Sequence, residues 1–146
     1  MCLPPRVVYA TIEEYRQHFE RVYCHRPITT FDGIPVQFRK SDFEHCMYES
    51  SKRDSNKDRF SAERSQRVDW IRETLTNPKA ELYQGWDKRK KKRDPGSRVA
   101  VVYEEFVVVI RIYSDGTGGT RGRFVTAYLA DNSIRKIRAM PRWVKK

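Results

Sequence analysis

The spacing of apolar residues changes near residue 80, from the helical period of about 3.6 to the strand period of about 2. Before this point, capping signals at Thr11, Ser41 and Ser61 predict three helices. After it, alternation predicts four strands and then a short helix that starts at Asp131 or Asn132. Helices followed by antiparallel strands are typical of an α+β fold. We therefore expect N-terminal helices packed on one face of a four-stranded antiparallel sheet, with strands at about 80–84, 98–103, 106–113 and 123–130 and a last helix to about residue 138.

The first forty residues are expected to add a helix and an edge segment to this arrangement. The first helix has a stripe of Ile12, Tyr15, Phe19 and Val22, and it should end before Pro27. An extended piece follows at 33–38, in which a proline indicates an edge position. Residues 41–146 would then form the main part of one compact domain.

The charge of the chain points to a negatively charged partner. Among 146 residues, 30 Lys and Arg face 19 Asp and Glu, which gives a formal net charge of +11. A polyanion such as a nucleic acid, or an acidic protein surface, would suit this charge. No apolar run approaches the roughly 18 residues of a membrane span, and no secretory signal is evident. Three scattered cysteines without a Cys-x-x-Cys pair favour a reducing compartment, so we expect a cytoplasmic protein with no membrane partner, no cofactor and no metal.

Two polar segments separate the predicted strands. The first is a basic loop, which we expect to bind the phosphate backbone through Lys88, Arg89, Lys90, Lys91, Lys92 and Arg93. The second, at 114–122, contains several glycines. It lacks the spacing of a phosphate-binding loop and is interpreted as a hairpin connection.

Alternation also predicts which side chains leave the core. A short hairpin after Tyr103 would pair that residue with Phe106, and further along the same strands it would place Arg98 opposite Arg111. Like charges directly opposite are unfavourable unless an anion or a carboxylate lies between them. The face away from the helices would carry arginines and aromatic rings, which suit a phosphate and a stacked base: Arg98, Arg111, Tyr113, Phe124, Thr126 and Tyr128. Val125, Ala127 and Leu129 would pack on the helices.

Few side chains could carry chemistry. His45 lies off the apolar stripe of its helix, and histidine is the commonest general acid or base near neutral pH. His18 and His25 have no acid or nucleophile pattern near them and are interpreted as structural or exposed. No two-metal carboxylate motif is present. The simplest nuclease chemistry would use the 2′-hydroxyl of RNA as nucleophile, with basic side chains stabilising the transition state.

The order of several short motifs resembles a known superfamily. They are Phe43-x-His45-x-x-Tyr48-x-Ser50, Phe60-Ser-x-x-Arg64-x-x-Arg67-Val-x-Trp70-Ile71, Leu75-x-Asn77-Pro78, Tyr83-x-Gly85-Trp86-Asp87, Arg98-Val-x-Val-Val, Phe106-Val-Val-Val-Ile, Phe124-Val-Thr126-Ala-Tyr128 and Pro141-x-Trp143. Over about residues 41–143 the chain is similar to the phage-associated nucleases of the Barnase–EndoU–colicin–RelE superfamily. That resemblance implies N-terminal helices before a four-stranded antiparallel sheet.

The resemblance also implies a function and a site. It implies metal-independent cleavage of RNA, such as tRNA or mRNA, by a toxin-type enzyme. Carried over by position, the catalytic candidates are His45, Arg67 and Thr126, with Arg64 and Arg98 in support. Beside the basic loop, the nucleic-acid-binding candidates are Arg111, Tyr48, Trp86, Tyr113 and Tyr128. Two alternatives stay open: a non-catalytic nucleic-acid-binding module, and a protein-interaction factor with an acidic partner.

Overall fold

The computed structural model describes residues 3–49, 59–87, 92–114, 116–117, 119–131 and 133–143, with backbone only at 86–87 and 92–97. The described helices are α1 (Ile12–Tyr23), α2 (Asp42–Met47), α3 (Ala62–Gln66), α4 (Val68–Thr76) and α5 (Ile134–Arg138). The described strands are β1 (Ile28–Thr29), β2 (Pro35–Gln37), β3 (Tyr48–Glu49), β4 (Arg59–Phe60), β5 (Glu81–Asp87), β6 (Lys92–Tyr103), β7 (Phe106–Ser114) and β8 (Thr120–Leu129). This composition confirms the α+β class.

Two of the three predicted helix starts are confirmed. Thr11 and Glu14 form a reciprocal capping box at the start of α1. The Ser61 hydroxyl accepts a hydrogen bond from the Arg64 amide at the start of α3. The predicted box at Ser41 is wrong, because Ser41 is helical and its side chain caps nothing. Instead, the Asp42 carboxylate accepts a hydrogen bond at 2.8 Å from the amide of Arg39, three residues earlier, and so fixes the turn that leads into α2.

The remaining helix boundaries differ from the prediction in detail. The predicted third helix is broken at Arg67 into α3 and α4, and α4 ends at Asn77, as the following proline requires. α2 stops at Met47 because the chain turns extended at Tyr48 and pairs with β4. The last helix begins after Ser133, so the predicted cap at Asp131 or Asn132 is not confirmed; residue 132 lies outside the described residues.

The main sheet has six strands, not the predicted four, in the order β1-β2-β8-β7-β6-β5. Strands β5, β6, β7 and β8 pair with one another in antiparallel order, as expected. The two added strands come from the first forty residues, and β2 runs parallel to β8, with Val36 opposite Gly122. The predicted edge segment is therefore an interior strand, and β1 is the edge. Pro35 is tolerated there because it is the first residue of β2.

The β6–β7 hairpin has the predicted register. Tyr103 pairs with Phe106, and Arg98 lies opposite Arg111. Glu104 and Glu105 form the two-residue turn, and Glu104 has a φ of 56°. A positive φ at the first turn residue is characteristic of hairpin turns whose twist matches that of the strands. The register on both faces of the sheet follows from this turn.

The sheet separates a large core from a small one. Helices α1, α2 and α4 pack their buried side chains on one face, together with side chains of β2 and of the later strands; we call this the core face. On the other face, called the second face here, α5 packs Ile134 and Ile137 over Tyr83, Val102 and Val107. The C-terminal helix α5 therefore lies on the face opposite to these N-terminal helices. After α5, the chain runs along the outer edge of β5, where Trp143 donates its amide to Leu82.

A bulge in β8 changes which side chains face the core. Val109 pairs with Thr126 but Ile110 pairs with Phe124, so Val125 is an extra residue in β8. The alternation shifts by one at this point. Phe124, which was predicted to lie on the free face, is therefore buried on the core face and stacks on Phe38 at 4.7 Å. Val125 was predicted to pack on the helices, but it belongs to neither apolar cluster, whereas Ala127 and Leu129 pack there as expected.

Candidate nucleic-acid interface and active site

Three arginines lie side by side on neighbouring strands of the second face. Arg98 on β6 is opposite Arg111 on β7, and Arg111 is opposite Arg123 on β8. Adjacent strands are about 4.8 Å apart, so the three side chains start in one row across the sheet. Among the described residues, none of the three forms an ion pair within 4 Å. We call Arg98, Arg111 and Arg123 the arginine row.

The arginine row is costly for the fold and favourable for an anion. Like charges directly opposite destabilise a sheet pair, and here Arg111 has a like charge on both sides. The Nε atom of Arg98 is buried and has no hydrogen-bond partner in the part of the chain that the structure describes. An unsatisfied buried donor costs free energy unless a ligand supplies the acceptor. A phosphate bound over the row would provide acceptors and neutralise the charge.

A glycine makes room for the first member of the row. Gly85 lies where the β5–β6 register shifts, opposite the stem of Arg98. A Cβ atom at Gly85 would lie 2.7 Å from the Arg98 Cβ and 3.2 Å from its carbonyl oxygen. Any larger residue at this position would displace the Arg98 stem. Gly85 therefore acts as a positioning residue for the arginine row.

Two of the predicted catalytic residues contact one residue of α2, Cys46. The Arg64 guanidinium donates to the Cys46 carbonyl oxygen at 3.2 Å. The Thr126 side chain hydrogen-bonds with the Cys46 thiol, which itself contacts the Ala127 carbonyl oxygen at 3.5 Å. His45 precedes Cys46 in α2 and is exposed, whereas Cys46 is buried. The chain thus brings Arg64 and Thr126 together at Cys46, where α2 packs on β8.

The electrostatics of α2 link His45 to the arginine row. Partial burial raises the pKa of Asp42, while Arg39, His45 and Arg123 lower it in turn. The Asp42 carboxylate therefore interacts with both His45 and Arg123. An exposed imidazole that shares this carboxylate with Arg123 can exchange a proton with a phosphodiester bound near Arg123. Burial raises the pKa of the Cys46 thiol, so this cysteine is not a nucleophile in the arrangement.

Arg67 and Arg98 lie apart from this group. The Arg67 guanidinium lies over the Trp70 ring at 5.4 Å, at the junction of α3 and α4. Trp70 also donates to the Pro4 carbonyl oxygen and packs edge-on against Phe106, so the tryptophan is a core residue. Arg98 is two strands away from β8, within the arginine row. The structure thus divides the predicted catalytic set into three places.

The aromatic residues predicted to bind nucleic acid also lie in different parts of the structure. The Tyr48 ring packs edge-to-face on Phe60 against the core, so it is not part of the second face. Tyr113 lies on the second face, opposite Arg121, and is 40% exposed. Tyr128 lies on the same face, half-buried beside α5. The Trp86 side chain lies outside the described residues.

Only the last two residues of the predicted basic loop lie within the described part of the chain. Lys88, Arg89, Lys90 and Lys91 lie outside the described residues. Lys92 and Arg93 were predicted to belong to the loop, but their backbone pairs with Asp87 and Trp86 in the β5–β6 hairpin. The strands therefore extend further toward the basic segment than the alternation pattern indicated.

Sequence reasoning missed two groups. Regular alternation along β8 would place Arg123 on the core face with Ala127 and Leu129. Only the extra residue Val125 moves Arg123 to the arginine row. His18 was interpreted as structural or exposed; it is buried, with Nε2 at 2.7 Å from Asp69 Oδ1 and Nδ1 at 2.8 Å from the Tyr9 hydroxyl. Tyr9, His18 and Asp69 tie the N-terminal segment to α1 and α4. Because they are far apart along the chain, no local sequence pattern indicates that they are in contact.

The described residues contain no group of three or more His, Cys, Asp or Glu side chains placed to hold a metal ion. None of the helices in the described part of the chain has both the length and the apolar character needed to cross a membrane. In comparisons with known proteins, no family model, no curated protein and no solved structure matches this chain.

Proposed function

We propose that this protein is a metal-independent ribonuclease that binds RNA phosphates on the arginine row and uses His45 in proton transfer. The single observation that supports this most is the Asp42 carboxylate of α2, which interacts with both His45 and Arg123. A nuclease of this kind needs a proton-transfer group and cationic groups around one phosphate. The resemblance to the Barnase–EndoU–colicin–RelE superfamily supports the same proposal, as does the net charge.

The proposed reaction requires only groups of the chain and the substrate. A base accepts the proton of the 2′-hydroxyl, and the 2′-oxygen forms a bond to phosphorus. The bond from phosphorus to the 5′-oxygen breaks, and an acid protonates that oxygen. The products are a 2′,3′-cyclic phosphate and a 5′-hydroxyl. His45 is proposed for one of the two proton transfers, and the arginines stabilise the charge that builds on phosphorus oxygens.

The proposed partner and location follow from this chemistry. RNA, with tRNA and mRNA as candidates, would be the substrate, and the protein would act in the cytoplasm. An acidic immunity or antitoxin protein would find its complementary charge on the same arginine row.

The test is a cleavage assay in the presence of EDTA. We expect RNA to be cut with 2′,3′-cyclic phosphate ends, and DNA of the same sequence to stay intact because it lacks the 2′-hydroxyl. His45→Ala should lower the rate by at least about 100-fold, since a positioned acid or base contributes about 10²–10⁴-fold. His25→Ala is the matched control, because His25 is exposed and distant from β8 in sequence. A requirement for Mg²⁺ or Zn²⁺, or an unchanged rate in His45→Ala, would overturn the proposal.

The second candidate is a non-catalytic RNA-binding module. The observation in its favour is that the Thr126 hydroxyl is already engaged by the Cys46 thiol, whereas the arginine row stands complete without any catalytic group. In this case Arg111→Gln should weaken RNA binding and reduce its salt dependence, with no turnover by the parent protein. Binding without cleavage of any RNA would select this candidate over the nuclease.

A further inference from the structure

The second face is divided between an apolar half and a cationic half. α5 covers the half near the β6–β7 turn, with Met140 at its end. The arginine row occupies the other half. Val109 lies between them, and Tyr128, opposite Val107, lies in the outer part of the apolar half; both side chains are half-buried and pack at the border of the apolar cluster. Val109 is two residues from Arg111 along β7, or about 7 Å, so the two halves meet within the span of a small ligand.

The hydroxyl groups of the half-buried Tyr128 and the fully buried Tyr23 differ in their partners among the described residues. The Tyr23 hydroxyl donates to the Val68 carbonyl oxygen and accepts the Arg72 amide. The Tyr128 hydroxyl forms no hydrogen bond with any residue in the described part of the chain. Burial is also the one cause that raises the pKa of Tyr128, with no charged or hydrogen-bonding group contributing. A tyrosine hydroxyl that is partly withdrawn from water usually has a partner, which here would have to come from a ligand.

We propose that Val109 and Tyr128 form a nucleobase subsite, in which the base of a bound nucleotide lies on this apolar strip while its phosphate lies on the arginine row. This inference rests on the proposed RNA binding and specifies which part of the nucleotide is recognised. The ring and the aliphatic side chain supply an apolar surface for the base. The hydroxyl of Tyr128, which can donate and accept, bonds to a polar edge of the base. Tyr128 is therefore a specificity-determining residue.

The occupant follows from the chemistry of the two halves. An inorganic anion would use the arginine row alone and leave the strip empty. A purely apolar ligand would use the strip and leave three guanidinium groups unpaired. A nucleotide has a phosphate joined by a ribose to a flat ring with polar edges, so it matches both halves at once.

The experiment compares ligands with and without a base. Binding of the four 3′-nucleoside monophosphates and of ribose 5-phosphate is measured by calorimetry at low salt, for the parent protein, Tyr128→Leu, Tyr128→Phe and Arg111→Gln. For the parent we expect at least one nucleotide to bind about tenfold more tightly than ribose 5-phosphate. Tyr128→Leu should remove this difference and leave ribose 5-phosphate binding unchanged. Arg111→Gln should weaken both classes of ligand.

Tyr128→Phe keeps the proposal testable if the leucine variant does not fold. It retains the ring, so base-dependent binding should persist, while the preference among the four bases should become smaller. Equal binding of nucleotides and ribose 5-phosphate by the parent protein would overturn the subsite, as would an unchanged base preference in Tyr128→Phe. Absence of measurable binding by every ligand would overturn both the subsite and the arginine row as a phosphate site.

The cleavage assay separates this inference from the proposed function. Base-dependent binding without cleavage would refute the nuclease and retain the subsite. Cleavage together with equal binding of all ligands would refute the subsite and retain the nuclease.

Discussion

The two faces of the β5–β8 sheet are made by the same strands and differ in what covers them. On the core face, Val99, Val108 and Ile110 are fully buried beneath helices that come from the first half of the chain. On the second face, the short helix α5 covers one half and leaves the arginine row in the other. Side chains alternate between faces along each strand, so a one-residue bulge is enough to exchange roles. The comparison teaches that side chains for stability and side chains for binding are separated here by the face of the strand on which they lie, rather than by their distance along it.

The largest expected effect on stability comes from removing a buried ring of the core face next to the bulge. Phe124→Ala should lower the free energy of unfolding by about 3–5 kcal/mol, because it removes a buried ring that stacks on Phe38. Tyr113→Ala on the second face is the control and should cost less than about 1 kcal/mol, since Tyr113 is exposed. Urea unfolding measures both. Equal effects would contradict the bulge and the assignment of Phe124 to the core.

The next effect concerns the N-terminal attachment of the core face. His18→Ala would leave the Asp69 carboxylate and the Tyr9 hydroxyl without their shared partner, so we expect a loss of about 1–2 kcal/mol. Limited proteolysis should also cut the segment before Thr11 faster. His25→Ala, an exposed histidine after the same helix, should change neither measurement. Unaltered proteolysis of the His18 variant would show that the contact does not hold this segment.

The hairpin turn that sets the register of both faces should respond to glycine in opposite ways at its two positions. Glu104→Gly relieves an unfavourable positive φ and should raise stability by about 0.5 kcal/mol, after allowing for the greater entropy of glycine in the unfolded chain. Glu105→Gly has no such strain to relieve and should lower stability by about 0.5–1 kcal/mol. Thermal unfolding compares the two variants. A gain in both, or in neither, would contradict the turn geometry.

The smallest expected effect on stability comes from the second face, and it is a gain, whereas a core mutation causes a loss. Arg111→Thr should stabilise the fold by about 0.3 kcal/mol at low salt, because it removes two like-charge cross-strand pairs. The gain should shrink at high salt, where charges are screened. The same change should weaken phosphate binding. Arg111→Lys keeps the charge and should show no gain; a loss of stability in Arg111→Thr would mean that the row is not repulsive.

Much of the fold could be predicted from local pattern. The helix caps at Thr11 and Ser61 and the helix end before Pro78 depend on residues close in sequence. The Arg98–Arg111 pair was predictable because a short hairpin allows one register. The parallel pairing of β2 with β8 could not be predicted, since nothing local indicates which distant strand a three-residue segment will join.

The candidate site was predicted less completely than the fold. Arg64 and Thr126 both contact Cys46, which was seen only as part of an apolar stripe, while His45 is the exposed neighbour of Cys46 in sequence. Arg123 was missed and Phe124 misplaced for one reason: alternation assumes an unbroken strand, and the Val125 bulge has no marker such as glycine or proline. The roles of these residues in RNA cleavage stay predictions.

The pairing of Val36 with Gly122 has a consequence for how the protein reaches its fold. This contact closes a very long loop, and α1, β1 and β2 cannot complete their burial until β8 has left the ribosome. Early in synthesis, the rings of Phe19, Tyr23 and Phe38 therefore lack part of their final cover. Cooperative folding must wait for β8, and a product truncated before β8 would expose an aromatic surface prone to aggregation.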